Sequence, residues 1–203
     1  MTTITTFDST KESLLDMLRS IADGKTQLPD FQRGWVWDDD HIRSLLASLS
    51  LAYPVGTVMM LETGGDEVKF KPRPVEGATT NGVKPDRLIL DGQQRLTSLY
   101  LATLYGKAVE TQDARKKLIK RWYYIDMVKA LKPDGDRDDA IVSLPEDRVT
   151  RNFRNEVLMD YSTRDLEYKH GLFPMEFIFN ASDWRVGFEE YWEYEKEKVK
   201  LFN

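Results

Sequence analysis

A short apolar run, a polar turn and an amphipathic stretch follow one another directly in the middle of this chain. Residues 87–90 read Arg-Leu-Ile-Leu, a pattern typical of a short buried strand, and Asp-Gly-Gln-Gln-Arg occupies positions 91–95. Apolar residues then recur at helical spacing, at Leu96, Leu99, Tyr100 and Leu104. This order predicts a strand that passes straight into a helix, so the chain must combine both kinds of secondary structure.

The turn at residues 91–95 has the composition of an anion-binding site. Such a turn exposes backbone N–H groups at the positive end of the helix dipole, and Gly92 lets a ligand approach the backbone closely. Arg95 can place two hydrogen bonds on a phosphate, whereas Asp91 can ligate Mg²⁺ or act as a base. Gln93 and Gln94 can orient a water molecule or contact a base edge. In the structural alternative, Asp91 caps the helix and Arg95 pairs with a nearby carboxylate.

A second polar and aromatic cluster, Leu-Pro-Asp-Phe-Gln-Arg-Gly-Trp-Val-Trp, occupies residues 28–37. Its aromatic residues and its glycine make it too irregular for a helix. Aromatic faces stack on bases and arginine neutralises phosphate, so Gln32 and Arg33 are candidate ligands of a nucleotide or a nucleic acid. In the structural alternative, the three aromatic side chains close the edge of the core and Arg33 caps a helix C-terminus.

Hydrophobic periodicity predicts both helices and strands in the N-terminal part. Helices are expected over residues 8–23, capped by Asp8, Ser9 or Thr10, and from Asp38 onward. Strands are expected over residues 57–61 and 87–90, with a hairpin at 64–66 that leads into residues 68–70. The glycine- and proline-rich residues 71–86 are predicted to form a mobile surface loop.

The C-terminal part is expected to be mainly helical. A helix is predicted over residues 111–120, followed by an aromatic strand over residues 122–127. Beyond Pro145 the pattern again favours helices, one of which carries Phe153, Val157 and Leu158 on a single face. A last helix capped by Asp183 is predicted to run to the end of the sequence. We therefore expect a core over residues 1–128 and an extension over residues 129–203, cut from a longer protein.

Composition excludes several classes of protein. The chain has no cysteine, which excludes disulfide scaffolds, thiol nucleophiles and Cys-ligated metal sites. Its two histidines, His41 and His170, are too far apart in sequence to suggest an HNH-type nuclease centre. No apolar run approaches the ~18 residues that cross a bilayer, and the start lacks the pattern of a secretory signal. The expected location is the cytoplasm.

The charge balance bears on nucleic-acid binding. With 29 basic and 34 acidic residues the net charge is −5, which argues against a chain that wraps DNA non-specifically. Arg115, Lys116 and Lys117 nevertheless lie in a locally basic stretch. They form either a solvated helix face or a patch that contacts DNA phosphates.

Taken together, the two clusters resemble one family. The shared series contains Pro29, Phe31-Gln32-Arg33, Trp37, a helix with Ile42, Leu45, Leu46 and Leu49, then Tyr53-Pro54-x-Gly56, and finally Asp91-Gly92-Gln93-Gln94-Arg95-Leu96-Thr97-x-Leu99. This series is similar to the N-terminal domain of GmrSD-type modification-dependent restriction enzymes, a prokaryotic phage-defence family. It covers roughly a third of the chain.

The resemblance implies an α+β fold of the ParB/sulfiredoxin-like kind, a small mixed sheet with surrounding helices. It also implies a nucleoside triphosphate bound with Mg²⁺, and it makes Mg²⁺-dependent NTPase activity a candidate. The nucleotide-binding positions that the resemblance implies are Gln32, Arg33, Gly92 and Arg95, and we add Gln93 and Thr97 as candidates. Asp91 and Gln94 are the candidate catalytic residues, and no metal ligand is assigned. Implied partners are DNA, an HNH-type nuclease half absent from this chain, and a second copy in a homodimer.

Four functions remain open from the sequence. The first is a nucleotide-dependent regulatory domain of a restriction system, with or without hydrolysis of the nucleotide. The second is a DNA-binding module that senses a modified base and hydrolyses nothing itself. The third is a nuclease that uses the same pocket, against which the scarcity of histidine and nearby carboxylates argues. The fourth is a purely structural role.

Overall fold

The N-terminal part of the chain forms a four-stranded mixed sheet with three helices. The computed structural model describes residues 11–64, 70–80 and 82–202. The elements of this part, in chain order, are α1 (Leu14–Ala22), β1 (Thr26–Pro29), α2 (Asp39–Ser50), β2 (Met59–Glu62), β3 (Pro72–Arg73), β4 (Arg87–Asp91) and α3 (Gln93–Thr103). The predicted strand at 87–90 and the helix that follows it are confirmed.

The direction of the two central strands places the candidate site. The sheet order is β2-β4-β1-β3, and β1 and β4 run parallel, with Thr26 opposite Arg87 and Gln27 opposite Leu88. The outer strands β2 and β3 are antiparallel to their neighbours. Because β1 and β4 are parallel neighbours, the segments that follow them leave the sheet at the same edge.

Apolar faces of the three helices cover this sheet. Leu18 and Ile21 of α1, Ile42 and Leu46 of α2, and Leu96 and Leu99 of α3 are buried with Leu28 of β1 and Ile89 of β4. Helix α2 begins directly after Asp38, close to the predicted start. Asp38 caps it, since its Oδ1 accepts the His41 N–H at 3.0 Å. The predicted caps of the first helix and most of the 64–70 hairpin lie outside the described residues.

A second sheet is built around one long strand, and it corrects the helix predicted over residues 111–120. These residues form the end of β5 (Val109–Gln112), a tight turn and the start of β6 (Leu118–Asp126). The turn is stabilised by Asp113, whose Oδ1 accepts the N–H groups of Arg115 and Lys117 at 2.8 and 2.9 Å. In β5, Val109 and Thr111 are buried and Glu110 between them is exposed, which is the alternation of a strand.

The extension beyond residue 128 shares this second sheet. Its elements are α4 (Met127–Ala130), α5 (Arg137–Ala140), β7 (Ile141–Pro145), β8 (Val149–Arg151), β9 (Val157–Asp160), α6 (Arg164–His170), β10 (Leu172–Pro174), α7 (Ala181–Tyr191) and α8 (Lys196–Val199), with 3₁₀ turns at Met175–Phe177 and Lys200–Phe202. Strand β6 pairs with β7 and β10 as well as with β5. The predicted core and extension are therefore joined by backbone hydrogen bonds.

Two helices predicted in the extension have different structures. The prediction of a helix with Phe153, Val157 and Leu158 on one face is wrong. Strands β8 and β9 form a hairpin there, and all three side chains are exposed. The last helix begins at Ala181 and ends at Tyr191, where left-handed backbone at Glu193 and Tyr194 interrupts it. The predicted α+β class is confirmed, and helices predominate only after residue 163.

The region predicted to be a mobile surface loop is partly built into the fold. Residues 72 and 73 form β3 against β1, and Val75 is buried in the core. No helix in the described part of the chain is long and apolar enough to cross a membrane.

Candidate functional site

The shared edge of β1 and β4 brings the two sequence clusters together. Residues 30–37 continue from the end of β1, and residues 91–95 continue from the end of β4 into α3. Side chains on α3 bond to the backbone of residues 33–36 across this edge. The candidate site is therefore the surface formed by residues 30–37 and by the N-terminus of α3.

The N-terminus of α3 begins at Gly92. This glycine has φ +87°, a left-handed conformation that other residues adopt only with strain, and a Cβ placed on it would lie 3.1 Å from Val58 Cγ2. Among the described residues no side chain caps α3, so Asp91 does not act as its N-cap. No described side chain therefore occupies the first N–H groups of α3, which lie at the positive end of the helix dipole. Gly92 and Gln93 are buried there, and Gln94 is half-buried.

Three glutamines hold residues 32–36 against β4 and α3. Gln32 Nε2 donates to the Leu90 carbonyl at 2.7 Å, and Gln93 Nε2 donates to the Arg33 carbonyl at 2.8 Å. Gln94 donates to the Gly34 carbonyl at 3.2 Å and accepts the Val36 N–H at 3.0 Å. These bonds satisfy backbone groups of an irregular segment that has no strand partner there.

Arg73 and Glu76 support the same segment, and the sequence analysis missed both. Arg73 Nη2 donates to the carbonyls of Gln32 and Arg33 at 3.1 and 3.0 Å, and Glu76 Oε1 accepts the Trp35 N–H at 3.0 Å. The two residues lie in the stretch interpreted as a mobile loop. Their spacing of three residues and their opposite charges were a signal that they act together.

The two arginines of the clusters have different surroundings. Arg33 is exposed, and in the described part of the chain its guanidinium has no hydrogen-bond or ion-pair partner. Arg95 donates from Nη2 to the Thr57 carbonyl at 2.9 Å and from Nη1 to the Val55 carbonyl. Arg33 is therefore the arginine that is free to bind a ligand, whereas Arg95 anchors a loop of the protein.

Gly56 provides the space that Arg95 occupies. A Cβ on Gly56 would lie 2.0 Å from Arg95 Nη1, and Gly56 itself has φ +96°. Arg95 Nη2 also lies 3.7 Å from Asp91 Oδ2, and the Asp91 side chain is 70% exposed. The Asp91 carboxylate thus faces solvent beside the N-terminus of α3.

Thr97 is fully buried on α3, so its hydroxyl does not reach the surface of the site. Its Oγ1 has no hydrogen-bond partner among the described residues. Thr97→Val is expected to leave the free energy of unfolding unchanged or to raise it by up to about 1 kcal/mol, because an unpartnered buried hydroxyl is destabilising. Urea unfolding of the purified variant measures this.

Thr103→Val is the matched control for Thr97. Thr103 lies on the same helix, is equally buried, and donates its hydroxyl to the Leu99 carbonyl at 2.6 Å. The free energy of unfolding of Thr103→Val is expected to fall by about 1 kcal/mol, because a satisfied hydrogen bond is removed. An equal loss for Thr97→Val would show that the Thr97 hydroxyl does have a partner.

A groove of about 460 Å³ lies next to the site, between α2 and residues 54–55. Trp37 and His41 line it with their rings 5.7 Å apart, and Arg95 also lines it. Asp38 orients the imidazole through a 2.6 Å contact with Nδ1. Partial burial opposes ionisation of Asp38, but the His41 N–H and imidazole outweigh it and keep the pKa of Asp38 below its usual value.

The basic stretch lies apart from this site. Arg115, Lys116 and Lys117 are exposed at the turn between β5 and β6. Lys120 is paired with Glu146 at 3.0 Å and with Glu110 at 3.6 Å. The structure therefore places the predicted DNA-binding residues on a hairpin turn and not on a helix face.

The donor groups of the site suit a triphosphate that brings its own metal ion. Among the described residues, no three His, Asp or Glu side chains converge as a metal cluster. Asp91 offers a single exposed carboxylate. Mg²⁺ commonly binds through one or two carboxylates together with substrate phosphates, and the uncapped α3 N-terminus and Arg33 suit the phosphates.

Comparison with known proteins identifies the family of this chain. The chain belongs to the family described as the GmrSD restriction endonuclease N-terminal domain, which matches residues 14–200. The chain is also similar to an uncharacterised protein of Methanocaldococcus jannaschii, with 29% identity over 196 residues. That alignment covers 93% of this chain and 32% of the relative, so the chain spans about a third of the relative's length.

Proposed function

We propose that this chain is the nucleoside-triphosphate-binding regulatory domain of a DNA restriction system that acts on modified DNA. The observation that carries the proposal is the position of Arg33 at the edge shared by β1 and β4. Its carbonyl accepts Gln93 Nε2 beside a helix N-terminus that no side chain caps, and its exposed guanidinium has no partner among the described residues. Membership of the GmrSD N-terminal domain family supports the restriction context.

In this proposal the backbone and Arg33 bind the phosphates. The N–H groups of Gly92, Gln93 and Gln94 hold one phosphoryl group, and the Arg33 guanidinium neutralises its charge. Mg²⁺ bound with the nucleotide would neutralise the remaining negative charge, with Asp91 as the carboxylate nearest to it. The glutamine bonds keep the segment that carries Arg33 in place beside α3.

Gln94 keeps the capacity to orient a water molecule. A carboxamide can make four hydrogen bonds, and Gln94 uses one donor on Gly34 and one lone pair on Val36. One N–H and one lone pair remain for a water molecule that attacks a phosphoryl group. Hydrolysis of the nucleotide by this domain is part of the proposal. Release of inorganic phosphate from the nucleotide measures it.

Calorimetric titration with ATP, GTP, CTP and UTP in Mg²⁺ tests the proposal. The wild-type chain should bind at least one of them, and Arg33→Gln should weaken that binding at least tenfold, because it removes a charged ligand of the phosphates. The matched control is Arg19→Gln, which removes an exposed arginine from α1, away from the edge. Failure of every nucleotide to bind at millimolar concentration would contradict the proposal.

The rest of the restriction system lies outside this chain in the proposal. DNA is the substrate of the system, and a separate HNH-type nuclease domain or subunit cuts it when the nucleotide-bound domain permits. The chain spans about a third of its relative, which leaves length for such a domain in the relative. Nucleotide-dependent homodimers of the domain are a further part of the proposal, measured by sedimentation with and without nucleotide.

A second candidate function is direct DNA binding, and the exposed hairpin turn favours it. Arg115, Lys116 and Lys117 are consecutive and exposed, and the described residues pair none of them with a carboxylate. Replacing all three by glutamine should make duplex binding less salt-dependent, lowering the log–log slope by about 2–3. An unchanged slope would show that DNA does not contact this turn.

A further inference from the structure

The groove beside Arg95 has two walls of different chemistry. One wall presents the rings of Trp37 and His41, and the His41 side chain is 64% exposed. Asp40 lies on the same wall, and its carboxylate pairs with Arg43 at 3.6 Å. The other wall is the backbone turn at Pro54 and Val55. The volume of about 460 Å³ falls within the range of ~300–1,000 Å³ that is typical of small-molecule sites.

Packing and hydrogen bonds hold the walls of the groove in place. Trp37 packs against the main core, and its carbonyl accepts the Thr111 hydroxyl at 2.8 Å. The His41 ring is fixed by Asp38, which is also the cap of α2. Pro54 and Val55 belong to the turn that Arg95 anchors. Such a groove needs little reorganisation to accept a flat ligand.

Arg95 belongs both to the groove and to the N-terminus of α3. It is the third residue of the helix and lines the groove with its side chain. Arg95 therefore links the groove to the surface to which phosphates are assigned, and Trp37 and His41 supply the aromatic rings of the groove. A nucleotide, which has an anionic part and a flat aromatic part, offers a partner for both features.

We propose that the groove between α2 and the Pro54–Val55 turn binds the nucleobase of the nucleoside triphosphate, which stacks on Trp37 and His41. The inference rests on the proposed function, because it assigns the phosphates to the α3 N-terminus. Stacking on an aromatic side chain is tolerant of base identity, so the groove provides affinity for nucleosides in general. The proposed ligand is a base joined to its own phosphates, and not an unstacked base of DNA.

Filling the groove is the test. Ser44 lines the groove and is exposed on α2, so Ser44→Trp should fold and occupy the space of the base. We expect it to weaken binding of the nucleoside triphosphate at least tenfold and to change binding of inorganic tripolyphosphate less than twofold. Ser50→Trp, on the same helix but outside the groove, should change neither affinity more than twofold.

A second variant removes the stacking surface without adding bulk. His41→Ala takes away an exposed ring, and the nucleoside triphosphate should then bind at least fivefold more weakly, with tripolyphosphate again unaffected. Arg33→Gln should weaken the binding of both the nucleoside triphosphate and tripolyphosphate, because it removes a charged group that is proposed to contact the phosphates.

The outcomes separate the two proposals. Unchanged nucleotide affinity in Ser44→Trp would overturn the groove assignment and leave the proposed function standing. Absence of binding of both ligands to the wild-type chain would overturn the proposed function and the groove assignment with it. Loss of duplex DNA binding in Ser44→Trp with unchanged nucleotide affinity would overturn the assignment in favour of a DNA base.

Discussion

Glu167→Ala should lower the free energy of unfolding by about 3–5 kcal/mol, which is the typical cost of removing one partner from a buried ion pair. The Glu167 side chain is completely buried. Its carboxylate lies 2.6 Å from Arg164 Nη1 and 3.5 Å from Arg148 Nη1, and it accepts the Tyr124 hydroxyl at 3.0 Å. Alanine would leave two partly buried arginines and a buried tyrosine hydroxyl without this acceptor.

Urea unfolding measures this loss, and a nearby exposed glutamate provides the control. Glu190 is exposed on α7, so Glu190→Ala should change stability by less than about 0.5 kcal/mol. Tyr124 lies on β6 and Glu167 lies on α6. If Glu167→Ala lowers the stability of a single cooperative unfolding transition, the extension and the second sheet unfold together. A loss below about 1 kcal/mol for Glu167→Ala would contradict the role assigned to this carboxylate.

Arg95→Ala is expected to lower stability by about 2–3 kcal/mol and to weaken nucleotide binding at least tenfold. The loss of stability follows from two hydrogen bonds that a charged group makes to the carbonyls of Val55 and Thr57. The loss of binding follows because the same turn forms a wall of the groove. Thermal unfolding and calorimetry measure the two effects on one protein preparation.

Arg95→Lys is the informative control, because it keeps the charge but not the fork that reaches two carbonyls. We expect it to recover less than half of the lost stability. Hydrogen exchange of the amides at residues 53–58 should accelerate in both variants, and to the greater extent in Arg95→Ala. Unchanged exchange there would contradict the anchoring role of Arg95.

Local signals predicted the elements that place the candidate site. The strand at residues 87–91, its glycine turn and the helix from Gln93 follow from an apolar run, a residue that tolerates positive φ, and helical spacing. Asp38 was predicted as the start of α2 for the same kind of reason. Each of these signals acts between residues that are close in sequence.

The strands that the sequence did not predict were missed for two physical reasons. Val157 lies four residues after Phe153, which matches helical spacing, but both side chains are exposed on the β8–β9 hairpin. The spacing suggested a buried face where the chain buries almost nothing. In β5 and the start of β6, the charged residues of the turn concealed a short alternating pattern.

The contacts that hold the site were beyond the reach of pattern reasoning. Gln93 and Gln94 bond to backbone atoms of residues about 60 positions earlier, and any irregular backbone offers such carbonyls. The sequence showed the glutamines as candidate ligands but could not show which of their atoms the fold already uses. The sequence also could not show that, in the described part of the chain, Arg33 is free and Arg95 is already bonded. The carbonyls of Val55 and Thr57 that Arg95 contacts are brought to it only by the tertiary structure.

The central claim is that phosphates bind where α3 begins, and amide chemical shifts test it most directly. A titration of the ¹⁵N-labelled chain with the tightest-binding nucleoside triphosphate in Mg²⁺ should move the signals of Gly92, Gln93 and Gln94 most strongly. Inorganic tripolyphosphate should move the same three signals. Saturable binding whose largest shifts lie elsewhere, such as at residues 113–117, would contradict the claim.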